Sequence, residues 1–256
     1  MKVVTTSVPG SKAYLLPIGD VHWGSHDCTD ANKEKLKGYL EWARERADQC
    51  RIVLMGDLID CATRGSKTSP FGSESSEYVE VMDLFEPFRD LIITSIPGNH
   101  DLRLANEAGL NYNTLLCRTL GVPDPGFSCI VHYRVGVKED KRASASKVHR
   151  ETYRFYCHHS RGGGGTIGNA LNRAVKLAGI VEGMDGYLIG HNHQAVSASD
   201  AILGPGGVSR RRTFVCCGSY TSWEGSYAEE FGFGMGRVGS PRIRLSGKQH
   251  DLHVSW

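Results

Sequence analysis

The chain has 256 residues, 40% hydrophobic and 23% charged, with a formal net charge of +2, the balance of a soluble globular protein long enough for one sizeable core. No apolar run approaches the roughly 20 residues of a membrane span, and the first residues, MKVVTTSVPGSKAY, carry no secretory-type apolar stretch, so a soluble, cytoplasmic single domain over 1–256 is expected, without a membrane partner. Near-neutral charge neither demands nor excludes a polyanionic partner, and eight cysteines scattered without C-x-x-C pairs argue against a disulfide framework or a thiolate zinc site.

Apolar runs alternate with helix-period segments over the first two thirds of the chain. Ala13 to Ile18 reads as a strand ending in Gly19-Asp20. From Asp30 to about Ala47, residues Leu36, Tyr39, Leu40, Ala43 and Ala47 share a helical face, with Asp30 as N-cap. Arg51 to Met55 is a second strand, again ending in Gly-Asp. The polar stretch Ala62 to Ser76 reads as a loop, followed by a helix through Val79, Met82, Leu84 and Phe85 and a third strand, Leu91 to Ile96, that runs into Pro97-Gly98-Asn99-His100-Asp101. A helix near Tyr112 to Leu120 comes next, then strands Phe127 to Val135 and Thr152 to Cys157 around a basic turn, Lys138 to Arg150. After the glycine run Gly162 to Gly165, Leu171, Val175, Ala178 and Val181 form a helix face, and the strand Gly186 to Ile189 ends in Gly190-His191-Asn192-His193. Further strands are expected at Thr213 to Cys217 and Arg242 to Leu245.

The pattern indicates a layered α/β protein, and its polar residues gather where strands end, the place where open α/β sheets bind ligands. The clusters are Gly19-Asp20-Val21-His22, Gly56-Asp57, Gly98-Asn99-His100-Asp101, His158-His159 and Gly190-His191-Asn192-His193. Carboxylate, imidazole and amide oxygen together suit a borderline first-row metal such as Mn, Fe, Co, Ni or Zn. A single Gly-Asp is usually a turn and a single His pair usually a surface or core feature; five such blocks in series are different.

In order, these blocks resemble the calcineurin-like metallophosphoesterase superfamily, whose pattern runs D-x-H, G-D, G-N-H-[DE], H, G-H-x-H. The resemblance implies a four-layer α/β/β/α sandwich with two mixed β-sheets, a motif-bearing core over about 13–200, and metal-dependent hydrolysis of phosphate esters. Two divalent transition-metal ions, manganese foremost, are implied as cofactors. Asp20, His22, Asp57 and His193 would hold one; Asp57, Asn99, His191 and one of His158 or His159 would hold the other, with Asp57 as the bridge. A carboxylate suits that place because its two oxygens and charge can span cations about 3.5–4 Å apart. The family commonly has His-Gly at the fourth block, where this chain has His158-His159-Ser160. Adjacent strand residues face opposite ways, so one of the two histidines faces the metals, and the glycine run as anchor favours His159. His100 is the implied general acid, with Asp101 orienting its ring, while the two ions acidify a water for attack.

The substrate is expected to be a phosphodiester of nucleotide or nucleic-acid type, from the polar loop and the basic segments, with a protein or small-molecule phosphomonoester as the alternative; a non-catalytic metal-binding scaffold is disfavoured because no ligand position of the pattern is replaced. Asp60 is either a partner of a ligating histidine or a turn residue. Arg161 to Thr166 is either a phosphate-gripping loop or a flexible turn. For Arg103, a solvated helix surface is favoured over contact with a substrate phosphate. Arg210-Arg211-Arg212 and Lys138 to Arg150 read as solvated turns before nucleic-acid contacts, Trp23 and Trp223 as buried or rim aromatics before stacking platforms, and His26, His132, His149, His250 and His253 as structural or surface residues.

Overall fold

The structure, a computed structural model, describes residues 1–62, 74–136, 150–162 and 165–256. Most of the Ala62 to Ser76 loop and of the basic turn Lys138 to Arg150, and Gly163 and Gly164, lie outside the described residues. In chain order the elements are β1 (Lys2–Pro9), β2 (Lys12–Ile18), α1 (Asp30–Arg44), β3 (Cys50–Leu54), α2 (Glu74–Phe85), β4 (Ile92–Ser95), α3 (Asn99–Ala108), α4 (Tyr112–Leu120), β5 (Ser128–Gly136), β6 (Arg150–His158), α5 (Ile167–Ala178), β7 (Gly186–Ile189), β8 (Ala195–Leu203), β9 (Ser209–Cys217), α6 (Tyr227–Glu230), β10 (Arg242–Ser246) and β11 (Leu252–Ser255). The strands form two sheets, ordered β1-β5-β6-β7-β9-β8 and β11-β10-β2-β3-β4. Both are mixed: β2, β3 and β4 are parallel neighbours beside the antiparallel β10, and β6, β7 and β9 are parallel neighbours flanked by the antiparallel β5 and β8.

Strand alternation explains how these sheets stack. Along β2 and β3, Ala13, Leu15 and Val53 face one way and meet Val131, Leu188 and Val215 of the other sheet. The alternate residues Leu16, Ile18, Ile52 and Leu54 face the opposite way, onto Leu36 and Leu40 of α1, Val81 and Phe85 of α2, and Leu116 and Leu120 of α4. In the six-stranded sheet Tyr187, Ile189, Phe214 and Cys216 turn outward to Ala170, Ala174 and Ala178 of α5. Three apolar seams thus separate four layers, helix, sheet, sheet and helix, and the central strands β2, β3 and β7 are covered on both faces. All eight cysteines are buried and unpaired within this packing, and no described helix is long and apolar enough to cross a membrane.

The helices depart from the sequence reading in three ways. The N-cap of α1 is Thr29, whose side chain accepts from Asn32 N at 3.4 Å, while Asp30 opens the first turn, where its charge faces the positive end of the helix dipole. In α2 the buried face is Val81, Met82 and Phe85 whereas Val79 is exposed. In α5 the buried stripe runs Ala170, Ala174, Ala178, and Val175 is exposed. The stacked rings of Tyr187 and Phe214, 5.5 Å apart, already fill that seam, so small side chains face them. β1, β8 and β11 were not expected; each lies at or next to a sheet edge and carries few core residues.

His250, in the turn before β11, stacks on Tyr153 at 4.5 Å and reaches Glu151 Oε2 at 3.1 Å and Asp185 Oδ1 at 3.0 Å. The bond to Asp185 foremost raises its pKa above the usual 6.5. A pKa raised on folding means that the clasp is fully present below about pH 6.5 and is lost as pH rises through the raised value. The stability gap between wild type and His250→Gln in urea unfolding should therefore be wider at pH 6 than at pH 9. A gap independent of pH would show that packing on Tyr153, not charge, holds the turn.

Candidate metal centre

Because β2, β3 and β4 run parallel, as do β6 and β7, their C-terminal ends lie side by side at one rim. The residues just beyond those ends depart from ordinary backbone geometry. Asp20, His22, Asp57, His191 and His193 have φ of 49°, 50°, 49°, 72° and 54°, a left-handed conformation that side chains other than glycine seldom adopt and that costs of order 1–3 kcal/mol each. The sharp turns aim all five side chains into one space. Two glycines make the approach of α3 possible. A Cβ on Gly98 would overlap the Asp57 carboxylate and backbone nitrogen, and one on Gly56, whose φ is +87°, would overlap Gly98.

With the helix start pressed this close, His100 N donates to Asp57 Oδ1 at 2.8 Å, so a helix N-terminus stabilises the charge of this carboxylate. The Asp101 carboxylate, expected to orient His100, does something else. Its Oδ2 accepts from Gly98 N at 2.6 Å and from Asp57 N at 3.1 Å, tying the end of β3 to the first turn of α3. The residue that positions His100 is Asp60: its carbonyl accepts from His100 Nδ1 at 2.6 Å, and its Oδ1 stands 3.3 Å from both that nitrogen and His22 Nδ1.

The expected ligand residues converge. Asp20, His22 and His193 form one group whose candidate ligand atoms lie within 4.8 Å of one another, and Asp57, His159 and His191 form a second. Asp57 Oδ2 stands between them, 3.1 Å from His159 Nε2 and 4.0 Å from His22 Nε2. Asn99 Oδ1 is 3.2 Å from His159 Nε2. Asp20 accepts from His191 N at 2.9 Å and lies 3.4 Å from His193 Nε2. His159 and His158 take opposite directions. His159 is buried, and its Nδ1 donates to Met55 O at 2.6 Å, which leaves Nε2 to face Asp57 and Asn99. The His158 ring packs toward Tyr156, on the α5 side of the strand, and its Nδ1 accepts from Ser160 N at 2.7 Å.

These donors suit cations. His22 Nε2 and His193 Nε2 face each other at 3.1 Å, and two imidazole nitrogens so placed need a proton or a metal between them. Burial, then the neighbouring His100, lowers the pKa of His22, and burial lowers that of His191 to about 4, keeping both rings in the neutral form that ligates. Burial alone would raise Asp57, but the His159 and His100 rings hold it well below the carboxylate range. Burial would likewise lower His159, but Asp57 and Asp20 raise it to about 10: two carboxylates draw positive charge to that point, which a proton or a metal ion can supply. His159→Ala should lower manganese affinity by roughly 10–100-fold or more, while His158→Ala should leave it within a few-fold; metal titration decides, and the reverse order of effects would exchange the two roles.

Two contacts had no signal in the strand-end clusters. Thr221 Oγ1 lies 3.2 Å from His193 Nδ1, and Met55 contributes only its carbonyl. Gly162 N donates to His191 Nε2 at 3.0 Å, placing the start of the glycine run beside the cluster, while Thr166 caps α5. Trp23 is buried with its Nε1 donating to Glu80, Trp223 donates to Phe233 O, and Arg212 pairs with Asp200.

The sequence profile described as calcineurin-like phosphoesterase matches residues 15–195. No curated protein matches the chain. Among solved structures, a Streptococcus pneumoniae TIGR4 protein described as a predicted phosphoesterase aligns at 13% identity over 96% of this chain and 99% of its own, with a TM-score of 0.36. A metallophosphoesterase of Sphaerobacter thermophilus aligns at 14% identity over 95% and 88%, with a TM-score of 0.36. GAP50, described as the anchor in the inner membrane complex of Plasmodium, aligns at 12% identity over 95% and 88%, with a TM-score of 0.47.

Proposed function

The chain belongs to the calcineurin-like phosphoesterase family, a metal-dependent phosphoric ester hydrolase, and on that premise we propose that it cleaves phosphodiesters of nucleotide or nucleic-acid type with two divalent transition-metal ions, manganese foremost. The observation that carries this reading is the pair of donor groups, Asp20-His22-His193 and Asp57-His159-His191, meeting at Asp57 with His100 beside them. Asp20, His22, Asp57 and His193 would hold one ion, and Asp57, Asn99, His159 and His191 the other. When bound, the ions supply neutralisation of the phosphate oxygens and acidification of a water nucleophile.

The rest is done by the chain itself. Asn99 offers a neutral oxygen where a further carboxylate would repel an entering phosphate. The His193 side chain is 35% accessible while those of Asp20, Asp57 and His159 are almost fully covered, so the substrate enters from the His193 side. His100, its Nδ1 fixed by the carbonyl of Asp60, keeps Nε2 as the nitrogen that gives a proton to the departing ester oxygen. Burial would lower its pKa, but the charge of Asp57 and the bond to Asp60 raise it, favouring the protonated form that an acid needs.

The test is an assay of purified protein on bis(p-nitrophenyl) phosphate and p-nitrophenyl phosphate. The diester is expected to give the higher kcat/KM, with a chelator abolishing and manganese restoring turnover. A preference for the monoester would assign the protein to the phosphatases instead, and turnover unaffected by the chelator would remove the metals from the mechanism.

A further inference from the structure

The segment from Ser219 to Gly239 is a loop whose two legs close on each other and grip the metal centre. Gly239 N donates to Ser219 O at 2.7 Å, and Ser219 pairs with Val238 across the legs. On the outgoing leg Tyr220 N donates to Asp20 O at 2.9 Å, and Thr221 Oγ1 lies 3.2 Å from His193 Nδ1. On the returning leg a Cβ on Gly236 would overlap the His193 carbonyl, so the backbone passes directly against this residue. Gln194, its neighbour in the chain, donates from Nε2 to Gly234 O at 2.8 Å. His193 is thus held between the two legs, and it is the residue through which the centre opens to solvent, its side chain being 35% accessible.

Between its legs the loop carries a cluster of aromatic rings. Tyr227 stands 4.3 Å from Phe231 and 5.8 Å from Phe233. Phe233 is anchored beside the centre: its carbonyl accepts from Trp223 Nε1 at 2.7 Å, and its ring fills the place that a Cβ on Gly165 would take. Folding does not account for the cluster. Among the described residues the three apolar cores are built without any of these rings, and Tyr227 and Phe231 stay 36% and 45% exposed. A contiguous apolar surface kept in water beside an open cleft marks a binding site, and loops on a rigid scaffold commonly carry such sites. The charges of the loop select the occupant. From Ser219 to Gly236 it contains Glu224, Glu229 and Glu230 and no Lys or Arg, so it repels a further phosphate and offers an uncharged stacking surface. The inference rests on the nucleotide-type phosphodiester reading above, in which a phosphate lies at the two donor groups and the substrate enters past His193. The uncharged, flat part of such a substrate is its base, and bases stack on aromatic side chains whatever their identity. We propose that Tyr227, Phe231 and Phe233 are specificity-determining residues that form a stacking platform for the base of the nucleoside esterified to the phosphorus under attack, so that the site takes nucleotide esters before simple alkyl esters.

Two comparisons test the platform. In calorimetric titration with manganese present, wild type should bind adenosine monophosphate roughly tenfold more tightly than ribose 5-phosphate, which has the same phosphate and sugar without the base. Tyr227→Ala and Phe231→Ala should each shrink that preference severalfold, and the double variant should bring it to within about twofold. In turnover, thymidine 5′-(p-nitrophenyl phosphate) and methyl p-nitrophenyl phosphate share a leaving group and differ in the nucleoside. The ratio of their kcat/KM values should fall roughly tenfold in the double variant, through KM rather than kcat. Phe231→Tyr, which keeps the ring, should keep the ratio. A wild type that binds the two phosphates equally would overturn the proposal. So would equal losses on the two esters, which would make the loop a support for His193 and nothing more. A wild-type dimer in sedimentation that Phe231→Ala dissociates would assign the rings to a second copy of the chain instead. A manganese-loaded wild type that cleaves neither ester would defeat the phosphoesterase reading, and the comparison of adenosine monophosphate with ribose 5-phosphate would still decide whether the rings bind a base.

Discussion

Asp57→Asn is expected to fold, to lose its pair of tightly held metals, and to lose turnover by about 10⁴-fold or more, since several kcal/mol of charge stabilisation in the transition state go with the ions. The effect is larger than the removal of one charge suggests. Asp57 Oδ1 accepts from His100 N at 2.8 Å, so an asparagine here must turn its oxygen toward that N–H. The amide nitrogen then takes the place of Oδ2, 3.1 Å from His159 Nε2 and 4.0 Å from His22 Nε2. A group that can only donate would point at the space between the two donor groups, where an oxygen shared by two cations is required, and the cations would keep their mutual repulsion. Metal analysis of the purified variant decides: two tightly bound ions per chain would mean that Asp57 is not the bridge.

The same residue shows why so much of the site could be read from the chain alone. Asp57, like Asp20, Asn99, His159 and His191, is a side chain of metal-binding type directly after an apolar strand, and the strands are legible because both of their faces are buried. Leu15 and Leu16, or Val53 and Leu54, are apolar neighbours on opposite faces, since a sheet covered on both sides has no polar alternation. What stayed hidden depends on backbone and on packing partners. The carbonyls of Met55 and Asp60 that fix His159 and His100 have no side-chain signature. Asp101 resembles a partner for its neighbour His100, yet its position at the start of a helix turns it to backbone N–H groups. The α5 stripe is shifted to alanines because Tyr187 and Phe214 occupy the seam, a fact about another element of the chain. Thr221 lies some 30 residues beyond the last cluster, joined to His193 only by the fold.

His100→Ala separates chemistry from metal binding, and the structure gives the reason that both ions should stay. What His100 contributes to Asp57 is its backbone N–H, which alanine keeps, and the turn of α3 is held by the Asp101 carboxylate rather than by the imidazole. The ring itself bonds to the Asp60 carbonyl and packs edge-on to His22 at 4.5 Å. Its removal would therefore delete the proposed proton donor and one wall beside His22. Turnover should fall by roughly 10²–10⁴-fold on a dialkyl phosphodiester, whose alkoxide cannot depart without a proton. On a nitrophenyl diester, which releases a stable phenolate, the loss should be smaller by at least about tenfold. The rival role is concrete, because His22, Asp60 and His100 also bring ligand atoms within 4.8 Å of one another. If His100 were a ligand there, the variant would bind one ion fewer, and both substrates would lose rate alike because the attacking side of the reaction would be impaired. Metal content together with the ratio of the two rate losses distinguishes these outcomes: an intact pair of ions with a loss that grows as the leaving group worsens is the behaviour of a general acid.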